Sequence, residues 1–299
     1  MDSKKRSQTL TLSDTKTKKK KKPTRSEILR KKRAAEGLVS AASSVVDHLS
    51  DLDAFRYYDH EGLSVRLDCG RGDRLSAPVK RYIQNLLKVN MEGPFGPEWP
   101  TEEKAKRQEM VAPEARYIFV LDDSGQSMSK KSPDVGRCYR HEEDSLNLVG
   151  FVHFRFMVEE ELPILYVYEL QLEARIRGKG LGNFLMELIE VIAKKNHMNA
   201  VVLTVQKANH AAMEFYTRKL RYEVSIISPS RVEPSVGKNV SYEILCKAFD
   251  LESREVLEGG HFERNNVLLV VASLTPCSFL LPYFTFYAYQ RAMLRAKGT

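Results

Sequence analysis

Residues 164–192 read ILYVYELQLEARIRGKGLGNFLMELIEVI, and this stretch limits the fold more than any other in the chain. Ile164 to Leu172 is dense in aliphatic and aromatic residues and reads as a strand. Leu181, Phe184, Leu185, Leu188, Ile189 and Ile192 follow at the three-to-four-residue spacing of a helix. The joint between them is Arg177-Gly178-Lys179-Gly180-Leu181-Gly182. Glycine lets a ligand approach the backbone closely, and the first N–H groups of a helix have no partner within it. Those donors and the positive helix end make an anion site, with Arg175, Arg177 and Lys179 adding charge. Such a site suits a pyrophosphate. The competing reading is a solvated basic turn, because short glycine motifs recur by chance.

Downstream, Ala200 to Val205 is an apolar run of strand length, and Asn209 to Tyr216 opens a short helix. At this point the chain resembles the GNAT acetyltransferases. Their Arg/Gln-x-x-Gly-x-Gly/Ala signature is met by Arg177, Gly180 and Gly182, and their Asn-x-x-Ala-x-x-x-Tyr element by Asn209, Ala212 and Tyr216. The resemblance implies an α/β GNAT acetyltransferase fold, a mixed, mostly antiparallel sheet flanked by helices and splayed at the cofactor strand. It also implies acetyl-CoA as co-substrate and no metal. The YxYELQLE, LTVxKxNHxA and SYEIL segments are similar, more narrowly, to the NatD class of histone N-terminal acetyltransferases, over roughly Ala54 to Cys246.

From that likeness come the expected roles. The backbone of Leu170, Gln171 and Leu172 would pair with the pantetheine arm, Arg177 and Gly178, Lys179, Gly180, Leu181, Gly182 and Asn183 would hold the pyrophosphate, and Thr204, Asn209 and Phe215 would touch the cofactor. Glu169 would be the base, with Tyr168 beside it. Tyr216 stands where many relatives keep the acid that protonates the thiolate, although NatD-like chains often carry phenylalanine there. Phe95, Trp99, Glu159, Tyr166, Tyr168 and Tyr242 would receive the peptide. Met157 replaces a family aspartate, removing one charge from the expected grip on a substrate arginine, for which Glu160 or Glu161 could compensate. The implied reaction is acetylation of the N-terminal amine of histone 4 and histone 2A, which begin Ser-Gly-Arg-Gly. Alternatives are a GNAT enzyme acting on lysine side chains or small amines, and a non-catalytic RNA- or ribosome-binding module.

Strand alternation alone sets Tyr166 and Tyr168 on one face and Glu169 on the other. A β-bulge, common beside active sites, would bring Tyr168 and Glu169 together.

Charge divides the chain. Residues 1–36 hold 14 Lys/Arg against 4 Asp/Glu, a net of +10 within an overall +8, which leaves the remainder slightly acidic. A basic arm on an acidic body fits a cationic partner as well as nucleic acid. Residues 1–23 are expected to be a disordered arm, serving as a nuclear import signal, a ribosome contact or a solubilising tail. The expected location is nucleus and cytoplasm. The cysteines Cys69, Cys138, Cys246 and Cys277 are far apart, which indicates neither a zinc site nor a disulfide framework.

Thr24 and Glu27 have capping-box spacing and begin an N-terminal helical segment, 24–53, with Leu38, Val45, Val46 and Leu49 turned inward. The GNAT domain is expected over 54–249. Within it, Arg56 to Leu67 reads as strand broken by a turn at Glu61-Gly62, and Pro78 to Met91 as a helix with Val79, Ile83, Leu86, Leu87 and Val89 inward. Gly93 to Pro100, rich in proline, predicts a loop, and Thr101 to Met110 a charged helix. Arg116 to Leu121 and Leu148 to Val158 read as an antiparallel pair, joined by a polar insertion, Asp122 to Ser145, without assigned chemistry. Tyr222 to Ile227 and Ser241 to Cys246 supply the last strands. Residues 250–299 are an apolar extension. Its 267–289 stretch has membrane-span length but is interrupted by Pro276 and Pro282, and reads as a divergent end or, less well, a tail anchor.

Overall fold

A computed structural model of the chain describes residues 24–124 and 147–259. The basic arm, nearly all of the polar insertion and the apolar 267–289 stretch lie outside the described residues. Among the described residues, no helix is long and apolar enough to cross a membrane.

Among the described residues eight strands form one mixed sheet. The first two strands, β1 (Tyr57–His60) and β2 (Leu63–Arg71), form a hairpin through Glu61 and Gly62, both at positive φ. That is the backbone twist a two-residue hairpin turn requires. Next come β3 (Arg116–Asp122), β4 (Leu148–Glu159) and β5 (Leu162–Leu172), all paired antiparallel. Among the described residues the single parallel pairing joins β5 to β6 (Ala200–Gln206), and β8 (Tyr242–Ala248) closes the far side with the two-residue β7 (Glu223–Val224). The GNAT fold expected from the sequence is the fold observed.

Each face is covered because alternate strand residues are apolar. Ile118, Val120, Val152 and Phe154 pack beneath α1 (Arg25–Ser44) and α4 (Leu181–Lys195). Tyr117, Phe119, Leu121 and Phe151 meet α2 (Ala77–Phe95) and α3 (Trp99–Glu109) on the other side. The helical stripe of α4 buries Leu181, Leu185, Leu188, Ile189 and Ile192, each contributing about 1.5–3 kcal/mol. Thr24 caps α1 reciprocally with Glu27.

Several expectations need correction. The Gly93–Pro100 segment is helical: α2 runs through Pro94, a 3₁₀ turn covers Gly96–Glu98, and α3 starts at Trp99. Pro94 lies in the final turn of α2, where losing one hydrogen bond costs little, while Pro97 and Pro100 occupy first turns whose N–H groups have no partner anyway. Gly96, at φ +54°, redirects the chain between the two helices. Val89 and Val46 are exposed, at 79% and 47%. The Tyr222–Ile227 strand shrinks to two residues. In the 24–53 segment, Ala42 and Leu49 do turn inward, into the same core as the sheet. Past residue 249, turns over Leu251–Arg254 and Glu255–Gly259 place Leu257, fully buried, among Ile164, Val202, Ile244 and Cys246.

Candidate active site

The parallel pairing of β5 with β6 stops at Val167 opposite Leu203, and beyond it the two strands part. The seam this opens is where the sequence motifs converge. On its β4 side the register slips: His153 faces Glu169 but Phe154 faces Val167, so Tyr168 is an extra, bulged residue. Leu165 and Val167 point into the α4-side core, and so do Leu170 and Leu172, one residue out of phase. The bulge therefore turns Tyr168 and Glu169 to the same face, opposite α4.

Glu169 is buried, 7% exposed, and both of its oxygens are held. Lys106 of α3 bonds Oε1, and Gln171 Nε2 donates to Oε2 at 2.8 Å. Burial alone would lower the Lys106 pKa, but the Glu169 and Glu109 carboxylates outweigh it and raise it. Beside this pair His153 is buried between the rings of Tyr117 and Tyr168, at 4.9 and 4.8 Å. Burial, with Arg155 and Lys106 nearby, keeps its imidazole neutral, well below the usual range. The Arg155 guanidinium lies 4.4 Å over the Tyr168 ring.

The expected peptide residues Tyr166, Tyr168, Tyr242 and Glu159 do gather on one face. Tyr166 and Tyr168 make an edge contact at 5.2 Å, and Glu159 and Tyr242 lie close enough to raise the Tyr166 phenol, whose main perturbation is burial. The Tyr166 hydroxyl hydrogen-bonds that of Thr204 across the seam, which occupies the Thr204 side chain expected to touch cofactor. Trp99 departs from expectation. It is 3% exposed and packs with Tyr117 and Phe151, so it is core rather than a wall facing a peptide. Phe95 is half-buried, 5.9 Å from Trp99, with the Lys106 ammonium 5.4 Å from its ring centre.

At the glycine turn, Gly180 caps α4 at φ +79°, and a Cβ there would meet the Tyr58 hydroxyl at 2.6 Å. That hydroxyl donates to the Lys179 carbonyl, so β1 braces the turn from outside. Gly182 lets the Phe215 ring close on the first helical turn, 3.3 Å from where a Cβ would stand. Asn183 and Phe184 N–H groups take the Gly180 carbonyl, while Leu181 and Gly182 precede the first residue with an intrahelical acceptor. The arginines do not supply the expected free charge. Arg175 pairs with Asp122 and Glu173, and Arg177 donates to the Leu172 carbonyl and to Asn90 Oδ1. Lys179 makes no ion pair among the described residues and remains the cation available to an anion.

Along β5, Glu173 N–H bonds Val149, so by antiparallel alternation Gln171 also faces β4 and Leu170 turns its main-chain groups to the seam. The Leu172 carbonyl, taken by Arg177 and Asn90, is not free for a ligand. The Asn209 side chain accepts from Ala212 N–H and caps the short helix α5 (His210–Glu214), which accounts physically for the Asn-x-x-Ala spacing. A π turn, Phe215–Lys219, follows and sets Tyr216 into the core edge of the seam. Burial and the Glu169 charge raise the Tyr216 phenol and keep it protonated, the form a proton donor needs. Among the described residues no cluster of three or more His, Cys, Asp or Glu could hold a metal ion.

A splayed parallel pair, a glycine-rich helix start at its mouth and a bulged strand carrying a buried carboxylate are the features of the GNAT fold. Residues 83–222 match the profile described as the acetyltransferase (GNAT) family, and the sheet and helices described above have that fold. Solved structures with likeness to it include PaiA N-acetyltransferase from Thermoplasma acidophilum in complex with coenzyme A, at 15% identity and TM-score 0.39, covering 61% of this chain and 99% of that one. Arabidopsis thaliana Naa50 in complex with a bisubstrate analogue aligns at 18% identity and TM-score 0.36, covering 62% and 99%. A NatC complex bound to Gag peptide and CoA gives 12% and 0.39, covering 62% and 99%.

Proposed function

We propose that this domain transfers acetyl from acetyl-CoA to the free α-amine of a protein N-terminus, with the Ser-Gly-Arg-Gly start of histone 4 and histone 2A as substrate. The observation that carries the reading is the Tyr168 bulge, which sets the Glu169 carboxylate on the tyrosine-lined face at the mouth of the seam. The residues present fit the co-substrate: the open N–H groups at Leu181 and Gly182 and the Lys179 ammonium for its diphosphate, and the Leu170 main chain for its pantetheine arm. Acetyl-CoA supplies an activated acyl carbon as a thioester.

The protein's share is positional and protonic. An α-amine has a pKa near about 8, so a substantial fraction is neutral at cellular pH and a modest base suffices, whereas a lysine amine near about 10.4 needs more help. As the amine nitrogen bonds the acyl carbon and the carbon–sulfur bond breaks, Glu169 accepts the proton shed by nitrogen and Tyr216 supplies one to sulfur. Tyr166, Tyr168 and Tyr242 orient the first residues. Glu159 meets the third-residue arginine, and Met157, packed beside Ile164 and Tyr166, adds no charge there. The likeness to NatD-type sequences supports this substrate.

The test is mass spectrometry of a Ser-Gly-Arg-Gly peptide with free and blocked N-termini. Acetate is expected on the free α-amine only, and replacing the third residue by alanine should lower kcat/KM about tenfold, the loss of one charge-assisted contact. Acetate on lysine in the blocked peptide would overturn the proposal in favour of a side-chain acetyltransferase.

A further inference from the structure

A line of hydrogen bonds runs from the glycine turn to the buried carboxylate. The Arg177 guanidinium donates to Asn90 Oδ1, Asn90 Nδ2 donates to Gln171 Oε1 at 2.9 Å, and Gln171 Nε2 donates to Glu169 Oε2 at 2.8 Å. Arg177 can only donate and the carboxylate can only accept, so both amides are fixed in orientation. The second carboxylate oxygen takes the Lys106 ammonium, delivered by α3 from 63 residues away in sequence. Neither Asn90 nor Lys106 belongs to the motifs that mark the site.

We propose that Lys106 and Asn90 are positioning residues for acetyl transfer, the two arms of a clamp that fixes the Glu169 carboxylate toward the incoming amine. The proposal rests on the reading of Glu169 as the base. Both oxygens of an unclamped carboxylate would be free to rotate, and proton transfer requires the acceptor within hydrogen-bond reach of a defined nitrogen.

Several other groups surround the Glu169–Lys106 pair. From α3 come Glu109 and, farther off, Glu102; from β4 come His153 and Arg155; from β3 comes Tyr117; and Tyr216 approaches across the seam. Burial raises the Glu109 carboxyl despite Lys106 nearby, and His153 is neutral, so Lys106 is the cation in direct contact with Glu169. Asn90 ties the same carboxylate, through Gln171, to Arg177 in the turn proposed to bind the coenzyme. That arrangement lines up the diphosphate grip and the base on one rigid path.

The experiment compares kcat and KM on a free-amine peptide for the wild-type protein and for Lys106→Met, Lys106→Gln, Lys106→Arg, Asn90→Leu and Glu169→Gln, with coenzyme A calorimetry as the check on folding. Removing the ammonium should lower kcat about tenfold with little change in KM for acetyl-CoA and with coenzyme A affinity kept. Lys106→Arg should restore most of kcat, and Lys106→Gln keeps the comparison if the methionine variant fails to fold. Asn90→Leu should likewise lower kcat with little change in KM for acetyl-CoA. Wild-type kcat in the Lys106 and Asn90 variants, or no recovery with arginine, would overturn the clamp while leaving Glu169 as base. Wild-type activity in Glu169→Gln would instead remove the reading on which the clamp stands.

Discussion

In the β1–β4 half of the sheet Arg116 is buried and gives its guanidinium to main chain, the carbonyls of Pro113, Ala115 and Ser43. In the β5–β8 half Glu169 is buried as well, and its partners are the side chains of Lys106 and Gln171. Main-chain partners cannot withdraw without unmaking the fold, whereas side-chain partners can shift by a rotamer. The first arrangement joins α1 to β3 and serves stability. The second holds a carboxylate through side chains alone, and it sits where strand pairing has stopped. The same contrast holds for the backbone: β1 to β4 pair along their lengths, while β5 and β6 part after four paired residues.

If this division is right, perturbations should separate cleanly. The largest effect belongs to the seam: Glu169→Gln should lower kcat/KM by about 10²–10⁴-fold with coenzyme A affinity retained, and activity within threefold of wild type would move the proton chemistry elsewhere. Ile118→Ala, in the closed half, should cost about 2–5 kcal/mol in denaturant unfolding, with KM of the folded fraction unchanged.

His48 offers a pH test of the same half. Packed against Phe154 and Phe156, it is held by burial at a pKa of about 4. The unfolded chain binds that proton below about 6.5, so stability is full above that pH and falls as pH drops toward 4, by up to roughly 3 kcal/mol. Thermal melts between pH 7 and 4.5 should show this, and His48→Phe should flatten it. The smallest effect is at the edge: Thr24→Ala removes the α1 capping box and should cost about 1 kcal/mol without altering kinetics.

The seam was unevenly legible in the sequence. The glycine turn, the strand before it and the helix after it are local, so spacing revealed them, and the alternation of Tyr166, Tyr168 and Glu169 pointed to the bulge that is present. Helix α3 was read as charged, but nothing in its spacing says that Lys106 reaches a carboxylate on β5, because that contact exists only once the chain folds. Arg177 matches a motif by identity, while its guanidinium turns inward to Asn90 and Leu172, a choice set by tertiary geometry. Trp99 and Gly93–Pro100 misled for the opposite reason. Prolines counted as breakers each fall at a helix end, where they are tolerated, and the lone tryptophan fills the space beneath Tyr117 and Phe151.

The most direct measurement is calorimetric titration of coenzyme A into the wild-type protein and into Gly180→Glu. A side chain at residue 180 would meet Tyr58 and put negative charge at the helix start. One-to-one binding at about micromolar Kd is expected for the wild type, about −8 kcal/mol, and none for the variant. No heat from a folded wild-type protein, or equal affinity in the two, would contradict the assignment of the seam to acetyl-CoA.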